Sequence, residues 1–326
     1  MATGPATAPA CTPETLAANN RVAAKSPALT FFAFFSIYFI WGSTYLAIRY
    51  AVATIPPLYT AGFRHLAAGS ILLIWALTKG ARPTAKQIRA SIVIGIFFFL
   101  IGHGTLHWAE TRIPSGFASL IIASEPIWVF LMAAIAEKKW RMNLPLAAGV
   151  VIGLAGVALL VGHDALSSGF RIFVGSVAVL VGAISWSIGI IYSRRSHLSG
   201  NPVLLSALSL LSGSFLLLTT GTLTGEARGF SFAQVTTRSW LALAYLIVFG
   251  SVVAFTAYNW LMEHYSPTFV ATHTYINPIV AVFLGWWLAG EKVTINVAIA
   301  AALVILAVFL VERGMAKLKI NSNAAA

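Results

Sequence analysis

Ten apolar runs, each about as long as a bilayer is thick, constrain this chain more than any motif does. A helix needs about 20 mostly apolar residues to cross some 30 Å of hydrocarbon. Runs of that kind occupy residues 29–48, 58–78, 90–108, 115–136, 144–162, 172–192, 202–221, 239–261, 267–290 and 294–311. Barrel strands alternate apolar and polar residues, and these runs do not. With 9% of residues charged and 59% hydrophobic, the chain could not cover a surface in water, so lipid is its solvent. The fold class expected is an all-α membrane protein with ten transmembrane helices. Two connections are longer than the rest, 79–89 and 222–238, and the second has room for a short interfacial helix.

Loop charge sets the expected orientation. Of the 21 Lys and Arg, fourteen fall on one side: in the tail before the first run, in loops 79–89, 137–143 and 193–201, and after residue 312. Six lie in the alternate loops, and Arg64 is inside a run. The basic side is expected to be cytoplasmic. An even number of crossings then puts both termini in the cytoplasm and the protein in the cell (inner) membrane as a multi-pass chain. The net charge of +12 is spread over short loops with no basic face, which argues against nucleic acid as a partner. A single cysteine, Cys11, excludes an intrachain disulfide. The first residues are rich in Ala, Pro and Thr and lack the apolar core of a removable signal.

The chain also repeats itself. An offset of 152 pairs Phe97 with Phe249, Trp108 with Trp260, Phe117 with Phe269, Pro126 with Pro278 and Ile127 with Ile279. Each proline sits mid-span after a polar residue, in Ser124-Glu125-Pro126 and Ile276-Asn277-Pro278. Each following span closes on a small residue, Glu and Lys, at Ala136-Glu137-Lys138 and Gly290-Glu291-Lys292. Trp41-Gly42-Ser43 has a looser echo in Ser185-Trp186-Ser187. Copies with an odd number of spans must lie in opposite orientations, so the spans form two inverted five-helix repeats (5+5), with a site expected at their interface near the midplane. The organisation expected is a disordered cytoplasmic tail over 1–28, a first repeat over 29–162, a linker at 163–171, a second repeat over 172–312 and a basic cytoplasmic tail over 313–326.

Trp41-Gly42-Ser43-Thr44 opening span 1, Arg64 in span 2, Glu125-Pro126 in span 4, Asn277-Pro278 in span 9, and Glu137 and Glu291 closing those spans make an ordered set. Over about residues 30–313 this set resembles the EamA-type branch of the drug/metabolite transporter superfamily. The resemblance implies export of amino acids, other small metabolites or drugs from the cytoplasm through a central cavity lined by spans 1, 3, 4, 6, 8 and 9. It also implies a structural or gating role for Arg64.

Glu125 is the sharpest candidate for substrate binding and for proton coupling. A mid-span carboxylate costs about 2.5–3.5 kcal/mol on insertion scales and must face the bundle interior or water. Pro126 beside it frees the carbonyl of Ile122. The alternative is that Glu125 pairs with Arg64 or a histidine and ties two helices together. His103 and His107 share a face of span 3, suited to proton exchange or substrate contact, and Glu110 continues their stripe. The stripe also reads as a metal path, but no second histidine pair or cysteine set completes a coordination shell, so no metal and no cofactor is expected. His273 and Asn277 share a face of span 9. Thr44, Trp41, Trp186, Tyr258 and Asn259 are further candidates for the cavity wall, the aromatic ones with packing roles as the alternative. Trp140, Trp240, Trp286 and Trp287 lie near span ends and read as interface anchors. Kinks at Pro126 and Pro278 would let half-helices rock around the cavity.

Gly149, Gly153 and Gly156 in span 5 and Ala298 and Ala302 in span 10 have the spacing of closely approaching helices. They serve packing within the chain or a weak homodimer. Neither a P-loop nor a His-Glu-x-x-His motif occurs, and Ser124 beside Glu125 is too little for an intramembrane enzyme. The reading is a secondary active transporter, not an enzyme, that exports a small metabolite such as an amino acid by alternating access. A proton-coupled exporter of drugs or other cationic compounds is the alternative.

Overall fold

The computed structural model describes residues 26–324 apart from 139, 141, 168, 197–200, 266 and 271. Every regular element among the described residues is helical. In chain order they are α1 Pro27–Ala51, α2 Pro57–Thr78, α3 Ala85–Ala109, α4 Ser115–Glu137, α5 Leu144–Ser167, α6 Phe170–Arg195, α7 Pro202–Leu223, α8 Thr237–Met262, α9 His273–Ala289 and α10 Ile295–Leu318. A single turn at Pro267–Val270 leads into α9. Eight of them, all but α5 and α9, are long and apolar enough to cross a membrane, while the apolar stretch of α5, Leu144–Leu160, is shorter.

Helix ends follow local chemistry. Pro27, Pro57 and Pro202 each stand in a first turn, where the missing N–H costs nothing. The first free amide of α2, at Leu58, donates to Glu226 Oε2 at 2.9 Å. Thr84 and Gln87 form a capping box, so α3 begins at Ala85, inside what hydropathy alone reads as the 79–89 loop. The 222–238 connection holds only a 3₁₀ turn at Phe232–Gln234 in place of an interfacial helix. Helix also runs through most of the expected 163–171 linker, and the last helix continues to Ala324 through the expected tail. The expected disorder of the amino-terminal tail falls on residues outside the described ones, save that Pro27 and Ala28 already belong to α1.

Lipid as solvent inverts the usual arrangement. Large apolar side chains such as Phe31, Phe215, Ile74 and Leu241 are exposed, and so are Trp140, Trp240, Trp286 and Trp287. The interior holds many small and hydroxyl-bearing residues. Ser43, Ser119, Ser176 and Ser187 are buried and return their hydroxyls to a carbonyl three or four residues back in their own helix. The interface of α5 and α10 shows why. A Cβ added at Gly149 would lie 2.8 Å from the Ala307 carbonyl oxygen and 2.8 Å from the Val311 nitrogen. A Cβ at Gly156 would be less crowded, 3.1 Å from the Leu303 and Val304 side chains and 3.4 Å from the Ala300 carbonyl oxygen. Ala298 and Ala302 are exposed and turned away, so Ala300 and Ala307 are the small residues of α10 that α5 meets. Gly149→Ala is therefore expected to cost about 1–3 kcal/mol through overpacking, read as a lower unfolding midpoint in mild detergent.

Among the described residues three helices widen and α4 breaks. π-helical turns occupy Ser36–Ile40 in α1, Gly95–His103 in α3 and Leu246–Val253 in α8. α4 stops at Ile122 and resumes at Glu125, with Pro126 in the first turn of its second half. The α9 segment restarts at His273, ahead of Pro278, which lies inside a continuous helix. Such departures leave backbone groups near the bundle centre available to side chains.

Candidate functional site

Two ends of the bundle differ in packing. At the lightly charged end, Ala47, Ile48 and Ala51 of α1, Leu106 and Ala109 of α3, Phe117, Ala118 and Ile121 of α4, Val179 of α6 and Leu246 of α8 form one buried cluster. At the basic end the core is split. Ala33 and Ile37 of α1 pack with Leu261 and Val270, while Ile127, Phe130 and Ala134 of α4 pack with α5 and α10. Mid-helix side chains between these clusters stay partly accessible: Tyr38, Trp41, Tyr45, Glu125, Trp128, Trp186, Tyr258 and His273. These side chains lie between a continuous core at the lightly charged end and a divided core at the basic end.

Aromatic rings build the walls of this central space. Trp41 Nε1 donates to the Gly250 carbonyl at 3.1 Å, and its ring packs against Tyr258 and His273, with centroids 5.3 and 5.1 Å away. Across from it Trp186 stacks on Phe98 at 4.3 Å and on His103 at 5.1 Å. Thr44 is buried, its hydroxyl donating to the Trp41 carbonyl at 2.6 Å.

The charges in the centre are unspent. Glu125 starts the second half of α4, where the helix dipole favours a carboxylate, and makes no hydrogen bond or ion pair among the described residues. Tyr45 and Tyr258 lie within electrostatic reach of it. Arg64 is 6% exposed and donates through Nε to Ser251 Oγ at 2.9 Å. Its terminal nitrogens donate no hydrogen bond among the described residues. Tyr45 lies within electrostatic reach of both Arg64 and Glu125, while the charge nearest in effect to Arg64 is Glu110. The alternative in which Glu125 pairs with Arg64 or a histidine is absent among the described residues.

The histidines interlock. His65 Nε2 and His103 Nδ1 are 2.7 Å apart, one donating to the other according to tautomer. His107 Nδ1 donates to the His103 carbonyl at 2.7 Å, which leaves Nε2 without a partner. His103 is partly accessible, whereas His107 is fully buried and away from the open space in this conformation. Asn277, with its amide nitrogen turned to the carbonyls around it, donates to His273 at 3.1 Å, Ile37 at 3.0 Å and Tyr38 at 2.9 Å. Two of those carbonyls belong to the π turn of α1, so Asn277 clasps α9 to α1. The side chain of Asn259 lies outside the described residues.

The closed end has a latch. Arg49 of α1 meets Glu291 at 2.6 Å. Glu291 also accepts from the Ser115 amide at 2.8 Å, the Ser115 hydroxyl at 2.8 Å and the Gly116 amide at 3.0 Å. One carboxylate thereby caps α4 and holds α1 to it. Glu137 and Arg194, at the basic end, are exposed and unpaired with each other. Sequence reasoning noted Glu291 but not its partners, and it missed Tyr45 and Ser251. Tyr45 could have been found, since it stands one turn from Trp41 on the same face.

Comparison with known proteins identifies the family and the fold. The sequence pattern of the EamA-like transporter family matches residues 28–162 and again 173–313. The Escherichia coli protein called "Uncharacterized inner membrane transporter YedA" is 34% identical over 286 residues, covering 87% of this chain and 90% of that protein. Bacillus subtilis "Uncharacterized transporter YoaV" is 24% identical, over 84% of this chain and 94% of its own. A solved structure titled only "Crystal structure of protein" shares the fold, with a TM-score of 0.59, 21% identity, and coverage of 87% of this chain and 97% of the other. With both halves matched, the chain belongs to the EamA-like transporter family.

Proposed function

We propose that the chain is a secondary active transporter of the inner membrane that exports a small zwitterionic metabolite of the amino-acid class. One observation carries the substrate class: the unpaired Glu125 carboxylate and the unbonded end of Arg64 both lie within electrostatic reach of Tyr45. An ammonium group on Glu125 and a carboxylate on Arg64 would satisfy both at once. The inner-membrane relative supports the location. Aromatic walls around a carboxylate also suit organic cations, so export of cationic compounds is the second reading. A thermal-shift screen of the purified protein separates them, since a ligand at about 100 times its Kd stabilises by about 2.7 kcal/mol. Amino acids should raise the midpoint, and a response to amines that lack a carboxylate, with none to amino acids, would overturn the zwitterion reading.

The transport cycle follows from ten spans arranged as 5+5. Helix pairing supports this: α2 packs on α7 and α5 on α10, while α1 packs on α8 and α9 as α6 packs on α3 and α4. Exchanging α1–α5 with α6–α10 leaves that pattern unchanged. The offset of 152 carries the π turn of α3 onto that of α8. Trp41 against α8 then corresponds to Trp186 against α3. By the same exchange Arg49 and Glu291 correspond to Arg194 and Glu137. Alternating access is the trade of one latch for the other, and the present conformation is open to the basic, cytoplasmic side. Tags at both termini are expected to be protected from protease in sealed right-side-out vesicles. Cleavage of either one sinks the topology.

A further inference from the structure

The closed end holds a carboxylate that the central space does not use. Glu110 caps α3, is 4% exposed, and neither of its oxygens has a hydrogen-bond partner. The backbone N–H of Arg49 approaches it without reaching hydrogen-bond geometry. His107, one turn earlier, has a buried orphan Nε2, and His65 has a buried orphan Nδ1. The ionisable groups facing Glu110 are Tyr45 and Arg49 from α1, Arg64 from α2 and Glu291 from the loop before α10.

None of the cations at this end is spent on Glu110. Arg49 is held by Glu291, and Arg64, within electrostatic reach of Glu110, spends its Nε on Ser251 and hydrogen-bonds neither Glu110 oxygen. Arg171, at the start of α6, donates to the Thr111 carbonyl at 2.9 Å. Arg112 folds over Trp108, 3.4 Å from its ring centroid. A buried ionised carboxylate with no partner is among the costliest groups a fold can hold, whereas a neutral carboxyl is tolerated. Glu291 thus takes Arg49 by an ion pair, and while the latch is closed Glu110 is left without a hydrogen bond from either arginine.

We propose that Glu110 is a proton-binding site whose occupancy is tied to the Arg49–Glu291 latch. With the latch closed, Glu110 keeps its O–H. When the latch opens, water enters, the proton passes to that water, and the carboxylate left behind pairs with Arg49 as it leaves Glu291. His107, one turn before Glu110, and the bonded His103–His65 pair beyond it are the groups that would carry the proton onward. This goes beyond the transporter reading and is measurable with no substrate present.

The test uses the full chain in lipid nanodiscs, with Cys11→Ser and a single reporter, Ala118→Cys, which is buried in the closed cluster. Its labelling by a hydrophilic maleimide is normalised to an exposed reference, Ala53→Cys, because the thiolate fraction itself rises with pH. As pH is raised across the range in which the parent stays folded, the normalised rate should rise at least about fivefold as Glu110 ionises, and Glu110→Gln should remain at the low rate throughout. A flat profile in the parent, or an undiminished rise in Glu110→Gln, overturns the proposal. Should Glu110→Gln fail to purify, Glu110→Asp must move the midpoint of the profile, and an unmoved midpoint overturns it equally. A failed transport assay bears on the transporter reading alone.

Discussion

Glu125→Gln is expected to weaken binding of amine-bearing ligands by about 10- to 100-fold, the loss of about 1.5–3 kcal/mol of charge-assisted hydrogen bonding. The folded protein should be no less stable. Glu125 has no hydrogen bond or ion pair among the described residues, so nothing inside the protein is left unsatisfied when its charge goes. An isosteric amide removes the cost of holding a bare carboxylate among helices, so the unfolding midpoint should stay or rise. Lost binding with kept stability is the mark of a group retained for a ligand. A structural carboxylate would do the reverse. Isothermal titration and a denaturation scan on the same preparation decide it. Normal affinity in Glu125→Gln, or a fall in stability beyond about 1 kcal/mol, sinks the assignment.

The helices were legible because lipid imposes run length directly, and polar caps moved their ends. Thr84 with Gln87 pulled α3 into a stretch that hydropathy reads as loop. Pro126 announced a break, but its position at Ala123–Ser124 depends on where Glu125 can begin a new helix. The π turns were not legible, since Gly95–His103, though more apolar than Ala85–Ile94 before it, carries no proline to mark a departure from the α-helix, and α6 and α7 pack against it. Asn277 looked like a ligand contact, yet it serves carbonyls that exist to be served only because α1 is widened opposite it. Trp41, Tyr258 and His273 were named from mid-span position and their rings pack together, whereas Trp186 stacks on Phe98 and His103. The latch was invisible for another reason. Arg49 and Glu291 are 242 residues apart, and two charges near span ends look like topology signals until the fold joins them.

Glu291→Ala should produce the other large effect, because one carboxylate satisfies four donors at once. Removing it leaves Arg49 unpaired and the first two amides of α4 without acceptors. Breaking a buried pair costs about 3–5 kcal/mol, and with the Arg49 side chain 35% exposed the expectation here is about 2–4 kcal/mol. The loss falls on the conformation closed at this end, so the protein should shift toward the open one as well as unfold earlier. The buried Ala118→Cys reporter should label faster in Glu291→Ala at a pH where the parent is protected. Glu137→Ala supplies the contrast. Its side chain is exposed and has no partner among the described residues, so stability should change by no more than about 0.5 kcal/mol. If Glu137 closes the basic end in the opposite state, that same variant must still slow counterflow. Equal destabilisation by the two variants, or unchanged labelling in Glu291→Ala, would reduce the latch to an ordinary helix cap. Unequal stability with a shared loss of transport is what two latches, one closed at a time, require.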